Sequence, residues 1–83
     1  MDVRKELQSL IDSTLNLGGR GLAFQDTTPL MGALPELDSM GVVSLLTAFE
    51  ERLGFVVEDD EIDGSIFETF GTLLRFVESK VPA

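Results

Sequence analysis

Residues 18–38 limit the possible folds more than any other part of the sequence, because they cannot form a regular element. Glycine and proline recur through this segment, and both residues break helices and strands. They are Gly18, Gly19, Gly21, Pro29, Gly32 and Pro35. A loop of about twenty residues is unusual in a compact domain unless it is functional. We expect its apolar residues to hold it over the core: Leu22, Phe24, Leu30, Met31, Leu34 and Leu37.

Apolar residues at spacings of three and four predict helices on both sides of this loop. The first helix is predicted over residues 2–17, with Asp2 as its cap and Gly18-Gly19 at its end. The second helix is predicted over residues 39–53, and Gly54 ends it. Its apolar stripe consists of Val42, Leu45, Leu46, Phe49 and Leu53.

Two further helices are predicted near the C-terminus. Ser65-Ile66-Phe67-Glu68 has the spacing of a capping box and predicts the start of a short helix. Thr69 is predicted to cap a last helix that ends near Lys80. The sequence therefore predicts an all-α fold: a small four-helix bundle with three longer helices, one short helix and a long loop between helices 1 and 2. We expect residues 1–83 to form a single domain.

The amino-acid composition excludes most kinds of catalytic site and metal site. The chain has no cysteine and no histidine, so the common nucleophile–base pairs and thiolate metal sites are excluded. The acidic segment 58–63 resembles the start of an EF-hand loop. Counted from Asp59, however, the twelfth position is Phe70, where an EF-hand has a bidentate glutamate. We therefore expect a solvated acidic loop with weak cation binding instead of a specific metal site, and no enzyme activity. An acidic cation sensor is the alternative, which Phe70 disfavours.

The charge of the chain bears on its partners. Fifteen acidic residues against six basic ones give a net charge of −9, which opposes binding to nucleic acid and suits proteins with a basic patch. No apolar run approaches the roughly 20 residues that cross a bilayer, and no basic-then-apolar leader begins the sequence. We expect a cytoplasmic monomer with no membrane partner. Met1 and the end at Ala83 favour a free-standing chain.

Ser39 is the candidate functional residue, because it follows Asp38 at the predicted start of the second helix. Pro35 stiffens the approach to it. A helix N-terminus offers unpaired N–H groups and a partial positive charge, which favour a phosphate group. We interpret Ser39 as a point of attachment and Asp38 as a helix cap.

Asp38-Ser39-Met40 at the head of an apolar helix resembles the Asp-Ser-Leu attachment motif of acyl carrier proteins. The similarity extends over most of the chain, through Glu50-Glu51, the acidic segment 58–63 and residues 67–73. It implies a covalent 4′-phosphopantetheine on Ser39, installed by a phosphopantetheinyl transferase, whose thiol holds an acyl chain as a thioester. It also implies that Asp38 helps the transferase and its Mg²⁺ to engage. The implied pathways are fatty acid, polyketide or related biosynthesis.

The resemblance also implies where partner enzymes bind. Glu50 and Glu51 match acidic residues of the family's partner-binding helix. Helical spacing separately places Met40 and Val43 beside the apolar stripe, nearer the outer side of the second helix. They either add an apolar contact for partners or widen the core face of the helix. The implied partners are acyl ligases or synthases with basic docking patches. In many relatives the acyl chain enters the interior between the helices, and six phenylalanines would narrow that space here.

Two positions depart from the family pattern. The fatty-acid members of the family usually place acids two and five residues after the serine, where this chain has Gly41 and Ser44. The resemblance therefore implies a specialised, free-standing bacterial carrier with a dedicated acyl ligase or synthase. The alternative is an acidic protein-interaction domain of the same fold that is never modified.

Overall fold

The computed structural model describes residues 2–57 and 64–81 of the chain, and the acidic segment 58–63 lies outside them. The helices are α1 (Val3–Leu15), α2 (Ser39–Ala48) and α3 (Phe70–Lys80). Shorter turns of 3₁₀ helix cover Arg20–Ala23 and Gly64–Phe67. The described ranges contain no strand, only an isolated bridge between Pro29 and Thr69. The predicted all-α bundle is confirmed, and its short third helix is a 3₁₀ turn.

The first helix is shorter than predicted. The Asp2 carboxylate accepts from the Lys5 N–H at 3.3 Å, which caps α1 as expected. The helix ends at Leu15 because Asn16 adopts the left-handed conformation, with φ of 56°. Asparagine tolerates this conformation better than most residues, so the predicted stop at Gly18-Gly19 was wrong.

The second helix changes its winding near its end. Residues Phe49–Leu53 continue α2 as a turn of π-helix, and the Gly54 N–H donates to the Phe49 carbonyl at 3.0 Å. Gly54 has φ of 76° and ends the helix, as predicted. The Phe49 ring stacks on the Phe55 ring at a centroid distance of 5.7 Å. The helix therefore spans the predicted residues 39–53, although its wide last turn was not predicted.

The third helix begins with a reciprocal cap. The Thr69 hydroxyl accepts from the Thr72 N–H at 3.2 Å, and the Thr72 hydroxyl accepts from the Thr69 N–H at 3.1 Å. Thr69 is therefore the predicted cap of this helix. Ser65 lies inside the 3₁₀ turn Gly64–Phe67, so this turn starts before the residue that was predicted to open it.

The long loop is anchored in the core by only part of its predicted apolar set. Phe24, Leu30 and Leu37 are buried, and the Phe24 ring meets the Phe70 ring edge-on at 5.9 Å. Leu22 and Met31 are exposed, so their predicted place in the core was wrong. Around these loop residues, α1 packs against both α2 and α3. The most deeply buried side chains are Phe49, Phe70, Leu7, Leu10, Ile11, Leu30, Leu45, Leu73 and Val77.

Backbone hydrogen bonds also fasten the loop to the start of α3. The Phe70 N–H donates to the Thr28 carbonyl at 2.8 Å, and the Leu30 N–H donates to the Glu68 carbonyl at 3.0 Å. The Met31 N–H donates to the Phe67 carbonyl at 2.9 Å. This pairing satisfies polar backbone groups that a loop lying over a core would otherwise bury unpaired.

We expect Phe49→Ala to lower the free energy of unfolding by about 3–5 kcal/mol, because it leaves a cavity at a fully buried ring. That is a large share of the roughly 4–12 kcal/mol typical for a chain of this size. Leu22→Ala removes an exposed side chain and should cost within about 0.5 kcal/mol. Urea unfolding followed by circular dichroism measures both. Equal losses for the two variants would place Leu22 in the core after all.

Candidate functional site

The start of α2 is built around Asp38. Its backbone is extended, with φ of −107° and ψ of −167°, and its Oδ1 accepts from the Gly41 N–H at 2.9 Å. Its carbonyl accepts from the Val42 N–H at 2.9 Å. Asp38 is thus the N-cap of the helix, as the sequence predicted. This cap fixes Ser39 as the first helical residue.

Ser39 faces solvent at this helix start. Its side chain is exposed, and no hydrogen bond to its hydroxyl is formed within the described ranges. The N–H groups of Ser39 and Met40 also have no partner among the described residues. Unpaired N–H groups at a helix N-terminus favour a negatively charged group. The hydroxyl is therefore free to be modified, and its surroundings suit a phosphate ester.

Gly41 allows the loop to pack against the first turn of α2. A Cβ atom at this position would lie 2.6 Å from the Glu36 carbonyl oxygen and 3.3 Å from the Leu15 side chain. The first distance is shorter than any ordinary contact, so a larger residue would push the loop away. A glycine inside a helix lowers its stability by about 1 kcal/mol relative to alanine. The close approach of the loop explains why the sequence has a glycine at this position.

An ion pair between Arg20 and Glu36 lies beside this contact. The Arg20 guanidinium bonds the Glu36 carboxylate, and its Nε donates to the Leu17 carbonyl at 3.0 Å. The hydrogen bond from Arg20 lowers the pKa of Glu36 below its usual range. Sequence reasoning missed this pair, because opposite charges sixteen residues apart in a loop carry no periodic signal.

The residues predicted to bind partners lie on the outer side of α2. Met40 is 73 % exposed and Val43 is 57 % exposed, and Glu50 and Glu51 are exposed in the π-helical turn. Residues three and four positions apart share one side of an α-helix, which places Met40, Val43 and Thr47 in one row. Glu50 and Glu51 follow in the π-helical turn, where this spacing no longer applies. The structure thus presents these side chains on the helix that begins at Ser39.

The other end of the bundle has a surface groove of about 620 Å³ between the start of α1 and α3. Charged side chains line much of it, including Arg4, Asp26, Arg75 and Glu78. None of the predicted site residues borders it. Within residues 2–57 and 64–81, no cluster of three His, Cys, Asp or Glu side chains could hold a metal ion. No helix in these ranges is long and apolar enough to cross a bilayer.

Comparison with known proteins identifies the family. No protein-family model matches the sequence, and no curated protein matches it. Among solved structures, the chain is similar to a holo acyl carrier protein from Nitrosomonas europaea, determined by solution NMR. The two chains are 43 % identical, the match covers 95 % of each, and the TM-score is 0.85. The chain therefore belongs to the acyl carrier protein family.

Proposed function

We propose that this chain holds an acyl group as a thioester on 4′-phosphopantetheine attached to Ser39. It delivers that group to partner enzymes in lipid, polyketide or related biosynthesis. The observation that carries the proposal is the exposed Ser39, with its unbonded hydroxyl at the start of α2, in a chain of this family. One domain over residues 1–83 acts as a carrier and not as an enzyme.

The residues at the start of α2 fit the prosthetic group. A phosphodiester on Ser39 would be held by the unpaired N–H groups of the first helical turn. Asp38 uses one carboxylate oxygen as the helix cap. Its second oxygen has no hydrogen bond among the described residues and remains for the transferase and its Mg²⁺. The bound group supplies the thiol that a chain without cysteine lacks.

Partner enzymes dock along the outer side of α2. Met40 and Val43 give an apolar contact close to Ser39, and Glu50 and Glu51 give a negative charge at the far end of the helix. At 1.5 Å per residue, Glu50 lies about 10 Å along the helix from Val43 and about 15 Å from Met40. A matching partner enzyme has an apolar surface beside the entrance to its active site. It has arginine or lysine further along the direction of α2, opposite Glu50 and Glu51. Such charge pairing mainly speeds association and sets specificity.

Modification of Ser39 is the direct test. Incubation with a promiscuous phosphopantetheinyl transferase, coenzyme A and Mg²⁺ should add one phosphopantetheine to the wild-type protein and none to Ser39→Ala, as measured by intact mass. Ser44→Ala is the matched control, because Ser44 is also an exposed serine of α2, and it should be modified normally. Both substitutions should change the free energy of unfolding by within about 0.5 kcal/mol.

Two outcomes would contradict the proposal. A folded wild-type protein that gains no mass beside an active transferase control would favour the unmodified interaction domain. A Ser39→Ala protein that still gains the group would place the attachment elsewhere. Unfolding of Ser39→Ala would show that the main role of Ser39 is to stabilise the helix.

Val43→Glu tests the docking surface. The substitution removes the apolar contact and places a charge against the partner's apolar surface, so loading of the holo protein by a soluble acyl ligase should slow by the equivalent of about 1 kcal/mol or more. Val56→Glu is the matched control, because Val56 is 59 % exposed but lies beyond α2. Steady-state kinetics and urea unfolding separate the two effects. Equal slowing by both variants, or unfolding of Val43→Glu, would remove Val43 from the docking surface.

A further inference from the structure

The long loop is held at two places that share one design. At the first, the Asp26 carboxylate pairs with Arg4 at 2.5 Å. The Asp26 carbonyl accepts from the Gly71 N–H of α3 at 3.0 Å. A Cβ atom at Gly71 would lie 2.6 Å from that carbonyl oxygen. We call Arg4, Asp26 and Gly71 the Asp26 anchor.

The second place, on α2, repeats the ion pair and the close carbonyl but not the backbone hydrogen bond, because the Gly41 N–H donates to Asp38. The Glu36 carboxylate pairs with Arg20. The Glu36 carbonyl lies so close to α2 that a Cβ atom at Gly41 would be 2.6 Å from its oxygen. We call Arg20, Glu36 and Gly41 the Glu36 anchor. In each anchor, an arginine holds the side chain of a loop residue while a helix glycine admits its carbonyl.

The two anchors differ in their distance from the attachment serine along the chain. The Glu36 anchor brackets Asp38 and Ser39, with Glu36 two residues before the aspartate and Gly41 two residues after the serine. The Asp26 anchor joins the loop to α3, and residues 27–38 separate it from Ser39. Only the Glu36 anchor is placed to set the direction in which the chain enters α2.

Arg20 is the group on which the Glu36 anchor depends. Its Nε is tied to the Leu17 carbonyl at 3.0 Å, just after α1, so the guanidinium is fixed before it meets the carboxylate. The Oε1 atom of Glu36 is buried and has no hydrogen-bond partner among the described residues. The carboxylate is therefore held through its other oxygen by Arg20. Removing either partner removes this link between the loop end and the 3₁₀ turn Arg20–Ala23.

We propose that Arg20 and Glu36 are positioning residues for the modification of Ser39. Their ion pair fixes the approach to α2, and this holds Asp38 and Ser39 in the orientation that the transferase requires. The inference rests on the proposed function and adds to it two residues outside the attachment motif. Neither residue has to touch the transferase, coenzyme A or Mg²⁺.

The test compares matched variants of the two anchors. Glu36→Gln and Arg20→Met break one ion pair, and Asp26→Asn and Arg4→Met break the other. Initial rates with a promiscuous phosphopantetheinyl transferase, coenzyme A and Mg²⁺ give kcat and KM for each folded variant. We expect kcat to fall about tenfold in both Glu36-anchor variants with KM little changed, because a misplaced serine binds but reacts slowly. Both Asp26-anchor variants should retain the wild-type kcat.

A charge swap separates positioning from direct contact. The double variant Arg20→Glu with Glu36→Arg restores an ion pair in reverse but not the hydrogen bond from position 20 to the Leu17 carbonyl, so it should recover part of the lost kcat. Circular dichroism and urea unfolding confirm that all variants are compared in the folded state.

Several results would overturn the inference. Equal losses of kcat at both anchors would show a general effect of loop stability. A loss in Glu36→Gln alone, without one in Arg20→Met, would show that the transferase contacts Glu36 directly. Wild-type kcat in both Glu36-anchor variants would overturn the positioning role while leaving Ser39 as the attachment site. An unmodified wild-type protein would overturn the proposed function as well.

Discussion

The pairing of the loop with the start of α3 is the contact on which the rest of the structure depends. Residues 26–31 and 67–71 exchange backbone hydrogen bonds, and Phe24 and Leu30 bury their side chains beneath them. A loop of this length loses much conformational entropy when it is ordered. Burial of its apolar residues and satisfaction of its backbone offset that loss. This pairing holds the middle of the loop on the core, and the contacts of Glu36 then guide its last residues into α2.

Much of this arrangement could be predicted from the sequence, because periodic apolar residues and capping residues act locally. The positions of α2 and α3, the caps at Asp38 and Thr69, and the exposure of Ser39 follow from such local signals. The end of α1 was misplaced because Asn16 competes with the glycines that follow it for the left-handed position. Whether α1 stops at Asn16 or at the glycines depends on how well Asn16 tolerates the left-handed conformation. No repeating pattern in the sequence reports that preference.

The parts that could not be predicted depend on contacts between distant residues. The Arg20–Glu36 pair and the approach of the Glu36 carbonyl to Gly41 join positions that share no periodicity. The π-helical turn at Phe49–Leu53 likewise has no capping signal in the sequence. In that turn Phe49 and Leu53 are buried while Glu50 and Glu51 stay exposed. The sequence could suggest that these side chains matter, but only packing sets where they point.

The buried phenylalanine rings fill space between the helices that an acyl chain would need. Phe49 and Phe70 are fully buried, and each contacts a second ring, Phe55 or Phe24. Under the proposed function, an acyl chain that entered between the helices would meet these rings. Close-packed interiors resist such changes of volume. The groove beside Arg4 is lined by charged groups and gives an apolar chain little to bind.

The contact at Gly41 also explains why the charge pattern of α2 departs from that of the family's fatty-acid members. An acidic side chain two residues after Ser39 would need a Cβ atom where the Glu36 carbonyl already lies. The loop can therefore approach the helix only if that acid is absent. The exposed charge of α2 then starts near its end, at Glu50 and Glu51, and leaves an apolar surface at Met40 and Val43 beside the serine. Under the proposed docking, a partner would combine apolar contact near the serine with charge at a distance, which would distinguish it from enzymes that recognise acids along the whole helix.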